Sequence, residues 1–153
     1  MAGMLTWLVI ALLAAGQGVA AKTHETAHLT VTTSSSADGA KASLFVDVAP
    51  KPTMHVYSPG QKGYIAITLT LDADPAFTAA KAKYPAGEKL FMKILNETQL
   101  VYSKPFRITQ DIRFVKPGTG ASRTIKGTLR YQACDDKICY LPTTVPVQWA
   151  VKN

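Results

Sequence analysis

A period of two, interrupted every few residues by turn chemistry, is what narrows the fold of this chain. In residues 64–71, Ile65, Ile67, Leu69 and Leu71 fall on one side of an extended backbone, and Ala66, Thr68 and Thr70 fall on the other. Successive side chains of a strand point to opposite faces, so this alternation marks a strand with one buried face. The same pattern sets Leu29 and Val31 among threonines and places Leu44, Val46 and Val48 opposite Phe45 and Asp47. It runs through Phe106, Ile108, Ile112 and Phe114, and aligns Ile125, Leu129 and Tyr131 toward a core. It returns over residues 144–151 in Val145, Val147 and Trp149. Pro146 there predicts an edge strand or a bulge, because it has no amide hydrogen to give a ladder.

Between these runs the signals change. Residues 89–95 and 99–102 are predicted as strands around an Asn96-Glu97-Thr98 turn, and residues 75–83, opened by Asp74-Pro75, as a short helix. The stretches at 34–39 and 117–120 read as turns. Seven or eight short strands joined by turns predict an all-β fold, an antiparallel β-sandwich of immunoglobulin-like type.

The first residues have a different character. Residues 4–15 are an apolar run, and the small residues Val19 and Ala21 suit a signal-peptidase site before Lys22. Residues 1–21 are therefore expected to be a signal peptide and residues 22–153 a single domain. The run is short of the roughly 20 apolar residues that a membrane-spanning helix needs. Residues 1–6 carry no Lys or Arg, which keeps a retained anchor as the alternative. Export predicts a periplasmic or secreted protein, in a compartment where disulfides persist.

All charged residues follow position 21, so the net charge of +7 belongs to the exported part. The basic residues are spread out and form no stripe, which argues against a nucleic-acid partner. They predict a solvated basic surface suited to acidic partners or anionic membranes. No phosphate loop, dinucleotide fingerprint or nucleophile elbow is present, and no cofactor is expected.

Two cysteines, Cys134 and Cys139, are the only ones in the chain. A strand-like run lies on each side of them, and the loop between is polar, with Asp135, Asp136 and Lys137 at its tip. Pairing of the flanking strands would bring the two Cα atoms into disulfide range. So small a ring contributes only about 2 kcal/mol to stability, against about 4.7 for a loop of about 100 residues. Spacing alone leaves two readings open, a local clasp on a hairpin mouth and a redox switch. His24, His28 and His55 with two cysteines fall short of a four-ligand structural metal site, and no metal is expected. His55 either assists proton transfer or is simply packed.

The start Tyr131-Gln132-Ala133-Cys134 and the end Cys139-Tyr140-Leu141-Pro142 resemble the active-site hairpin of the amino-terminal periplasmic domain of the thiol:disulfide interchange protein DsbD. Pro52-Thr53-Met54-His55-Val56-Tyr57 resembles that family's early segment, whose aromatic residues lie near the cysteines, with His55 in place of a phenol. Tyr84-Pro85-Ala86-Gly87 is similar to the turn ahead of its cap loop. The spacer between the cysteines is four residues here, where the best-known members have five.

The resemblance implies an immunoglobulin-like fold and a redox-active Cys134/Cys139 pair. Such a pair relays reducing equivalents between thioredoxin-like proteins, with Cys139 as the attacked partner. It implies that His55, Tyr57, Tyr131 and Tyr140 shape the site. It places the cap at residues 90–98, with Phe91 as the shielding ring. The implied partners are thioredoxin-fold proteins and a separate membrane electron carrier; once the leader is cleaved, no stable membrane insertion is expected. The alternative is a non-catalytic, secreted immunoglobulin-like interaction module with a structural disulfide.

Overall fold

A computed structural model describes residues 21–116 and 118–152. The leader expected at residues 1–21 lies, apart from Ala21, outside the described residues. In chain order the strands are β1 (Lys22–Glu25), β2 (Leu29–Asp38), β3 (Lys41–Pro50), β4 (His55–Tyr57), β5 (Thr68–Leu71), β6 (Phe77–Ala79), β7 (Glu88–Met92), β8 (Glu97–Tyr102), β9 (Phe106–Phe114), β10 (Ser122–Tyr131), β11 (Ala133–Cys134) and β12 (Thr143–Lys152). Every ladder between them is antiparallel.

The strands form three sheets, in the orders β1-β2-β3-β9-β6, β12-β10-β5 and β11-β4-β8-β7. One core cluster joins all three, drawing Leu29, Val46 and Ile108 from the first, Leu129 and Trp149 from the second, and Val56, Tyr102 and Ala133 from the third. The chain passes from β10 to β11 through Gln132 alone. The result is an antiparallel β-sandwich, as the alternation predicts.

Most alternating positions behave as read, although the run at 64–71 is a strand only in its second half, β5, where Leu69 is buried and Leu71 half-buried. Val145, Val147 and Trp149 are buried, as are Ile125, Leu129 and Tyr131. β12 is an edge strand of its sheet, in keeping with Pro146. Pro146, Gln148 and Ala150 share one side of the strand. On that side Thr33 and Ser35 of β2 donate hydroxyl hydrogen bonds to Gln148 O (2.8 Å) and Ala150 O (2.9 Å). Side chains of one sheet thus satisfy carbonyls on the free edge of the other. Gly127, in the middle of β10, admits a close approach by β5: a Cβ there would lie 2.5 Å from Thr70 O.

Three local expectations fail. Residues 34–38 are strand rather than turn: β2 runs on to Asp38, and its hairpin turn is Gly39-Ala40, with Gly39 at φ +56°. Residues 75–83 form no helix: Phe77–Ala79 is β6, paired with β9, and Lys83 bridges Thr109. Phe77 is the reason, since its ring meets Phe114 edge-on at 6.5 Å and anchors the segment to the sheet edge. The β7–β8 turn lies at residues 93–96 rather than at Asn96-Glu97-Thr98. Asn96 takes φ +49° at its end, a left-handed conformation that asparagine tolerates, and Glu97 already pairs with Met92.

Candidate functional site

The four-stranded sheet is buried on both faces where β4 and β11 pair, and this creates the site. Val56, Ala133 and Tyr102 point into the sandwich core. Their neighbours Tyr57, Cys134 and Val101 point the other way and form a second, smaller cluster, closed by Tyr64 and Leu90. A three-residue strand that is buried throughout, as β4 is, needs cover on both sides.

Cys134 and Cys139 are joined by a disulfide, with Cα atoms 4.0 Å apart. The environments of the two sulfurs differ. Cys134 is 1% exposed and sits in the small cluster, whereas Cys139 is exposed at the end of the loop. Exposed Ile138 and Leu141 flank Cys139 in the chain.

The Tyr57 hydroxyl lies 3.2 Å from Cys134 Sγ and 3.4 Å from Cys139 Sγ. Bonded sulfurs carry no hydrogen, so the phenol is the donor. Burial, with Tyr64 and Glu97 beside it, pushes the Tyr57 hydroxyl up to about 12, and it remains a donor at neutral pH. The ring is stacked on Tyr64 at 4.4 Å. The Tyr64 hydroxyl and Gln99 Nε2 both donate to Glu97 Oε1, each at 2.6 Å.

His55 lies directly opposite Cys134 in the β4–β11 ladder. It is buried, and its ring meets Tyr57 edge-on at 5.9 Å. Its Nε2 has no hydrogen-bond partner. Burial lowers its pKa, against the opposing fields of Asp136, Asp135 and Glu88.

The loop between the cysteines is built on one carboxylate. Asp135 accepts from the amides of Lys137 (2.7 Å) and Ile138 (2.8 Å) and from the Tyr140 hydroxyl (2.9 Å). Those amides, Ile138 first, and then the phenol hold its carboxyl below the usual range. The Asp135 amide donates to Ile138 O, and the Tyr140 amide to Ala133 O. Tyr140 in turn lies against His28, ring centroids 4.4 Å apart, so the turn after β1 braces the hairpin.

The structure brings Cys134, Cys139, Tyr57 and His55 together, and reaches Tyr140 through Asp135. Tyr131 belongs to the sandwich core, with its hydroxyl 3.0 Å from Thr26 Oγ1. Phe91, expected as the shield, is 55% exposed; its neighbour Leu90, on the opposite face of β7, packs on the cluster instead. The segment expected as a cap is part of the β7–β8 hairpin, with Ile94 and Leu95 exposed near its tip. No short motif links Tyr64 or Gln99 to the cysteines, and Leu90 and Glu97 fall inside the segment expected as the cap without a role of their own in the sequence. The His28 ring packs against Tyr140. Among the described residues no three His, Cys, Asp or Glu side chains group as metal ligands would.

Comparison with known proteins agrees with this geometry. The family model described as "Thiol:disulfide interchange protein DsbD, N-terminal" matches residues 24–149. The N-terminal periplasmic domain of ScsB from Proteus mirabilis superposes with a TM-score of 0.62 at 13% identity, over 86% of this chain and 50% of that chain. This chain thus spans half the length of that one. The N-terminal domain of DsbD from Neisseria meningitidis, in its reduced form, gives 0.51 at 16% identity, over 83% and 87%. At such identities these structures speak to the shared fold. No curated protein sequence matches.

Proposed function

Since the chain belongs to the family of DsbD N-terminal domains, and its two cysteines form a disulfide as a redox pair would, we propose that it relays reducing equivalents between thioredoxin-fold proteins. The observation that carries the reading is the asymmetry of the pair: Cys139 is open to solvent and Cys134 is enclosed. Thiol–disulfide exchange needs a thiolate to reach one sulfur. A partner thiolate reaches Cys139, the sulfur–sulfur bond breaks, and Cys134 departs with the electron pair under the Tyr57 hydroxyl. In the opposite direction Cys139 attacks a partner disulfide and Cys134 resolves the mixed disulfide. Tyr57, His55 and Tyr140 shape the site, and Tyr131 supports it from the core side.

The setting in this reading is the periplasm, reached through the leader at residues 1–21, with electrons supplied by a separate membrane carrier. The test is a trap. A Cys134→Ser variant should hold a thioredoxin-fold partner as a stable mixed disulfide through Cys139. Absence of any mixed disulfide, together with a reduction potential below about −300 mV, would mark the bond as structural.

A further inference from the structure

We propose that His55 takes up a proton as Cys134 leaves the disulfide, so that the buried thiolate forms beside an imidazolium rather than alone. The proposal rests on the relay reading and names the group that makes its leaving sulfur workable. The register places His55 directly across from Cys134. Residues opposed in this way share a face, with Cβ atoms roughly 4.5–5.5 Å apart. His55 is 2% exposed, and its Nε2 has no hydrogen-bond partner. A buried polar atom left unpaired is costly, and such exceptions call for a reason. A partner that exists only in the reduced state supplies one.

Burial, the largest influence on the His55 ring, opposes its charge, and the nearby carboxylates together with a thiolate formed at Cys134 act the other way. Cys134, at 1% exposed, cannot shed a thiolate charge into water. The Tyr57 phenol, on the same strand as His55, offers the sulfur one hydrogen bond. The charged groups acting on His55 are Asp136 and Asp135 from the loop and Glu88 from β7. All are acidic, and all favour imidazolium.

The step balances. The co-reactant is a protein dithiol. Its first thiol loses a proton to water and its sulfur bonds to Cys139 Sγ. The disulfide breaks, the electron pair goes to Cys134 Sγ, and His55 gains a proton. The partner's second thiolate then forms the partner disulfide and expels Cys139, which takes the second proton. Two electrons and two protons reach this domain, one proton residing on the imidazole.

The test follows the imidazole of His55 by NMR in the oxidised and reduced wild-type domain, with the resonance identified by its loss in His55→Gln and with His24 and His28 as internal references. Reduction should raise the His55 titration midpoint by about one pH unit or more, a tenfold change in proton affinity. An unmoved midpoint overturns the proposal. In a Cys139→Ser background, where Cys134 is the remaining thiol, ultraviolet absorbance should show Cys134 thiolate at neutral pH. His55→Gln and His55→Phe should lower that fraction by about tenfold, and an unchanged fraction in a folded variant also overturns it. If both variants fail to fold, the wild-type titration decides. Failure of the relay reading looks different: wild-type protein would then not exchange with a thioredoxin-fold dithiol, whatever His55 does.

Discussion

Reduction of the disulfide is expected to leave the domain folded, and the size of its effect can be worked from the ring. The two cysteines are separated by only five positions. Opening so small a ring restores about 2 kcal/mol of chain entropy to the unfolded state. The contacts that shape the hairpin do not run through the sulfurs: the Asp135 amide bonds Ile138 O at 2.9 Å, the Tyr140 amide bonds Ala133 O at 2.8 Å, and Tyr140 rests on His28. They should survive reduction. Against a typical domain stability of about 5–15 kcal/mol, the loss is a fraction. Urea unfolding of oxidised and reduced protein measures it. Trp149 is the one tryptophan of residues 22–153 and is buried, with its indole N–H on Phe45 O at 2.9 Å, so its emission reports sandwich packing. With a urea slope of about 1–3 kcal/mol per molar, the midpoint should fall by about 1 M. A loss above about 4 kcal/mol, or exposed tryptophan in the reduced protein without urea, would refute the reasoning. A domain that melts on reduction cannot cycle.

Two further outcomes follow from the site. Tyr57→Phe removes the hydroxyl that faces both sulfurs. A hydrogen bond to a charged sulfur contributes about 1.5–3 kcal/mol to the reduced state, so the potential should move about 30–60 mV more negative in a glutathione titration. The Asp135 carboxyl, held below its usual range by the Ile138 and Lys137 amides and then the Tyr140 hydroxyl, contributes its stability above the unfolded carboxyl pKa and loses it as pH falls through the folded one. The amide resonances of Lys137 and Ile138 should therefore stay fixed from neutrality through the ordinary carboxylate range and shift only below it. A shift within that range would show that Asp135 does not hold the loop.

The parts of the site that the sequence disclosed are those with a local signature. Cys134, Cys139 and Tyr140 sit inside one short hairpin, and His55 and Tyr57 share one strand with period-two spacing. Glu97, Gln99 and Leu90 come from elsewhere in the chain and meet because β4, β8 and β7 are neighbours, while Tyr64, between β4 and β5, joins them by stacking on Tyr57. His28 lies more than 100 residues before Tyr140 and reaches it because the turn after β1 folds over the hairpin. Alternation says that Phe91 and Leu90 face apart and not which of them meets the cysteines; Leu90 does. The helix expected over residues 75–83 lost to a single buried ring, Phe77, whose partner Phe114 is remote in sequence.

Alternation and turn residues were enough to determine that this chain is an antiparallel sandwich, because a period of two is a property of neighbours along the backbone. Cysteine spacing was enough to show which two sulfurs could pair, though not whether the pair is a clasp or a redox switch. Only the packing of strands decided that Cys134 is enclosed while Cys139 stays open, and that His55, its Nε2 without a partner, stands across the ladder from Cys134. Burial and cross-strand register depend on contacts between distant segments, and no local pattern encodes them.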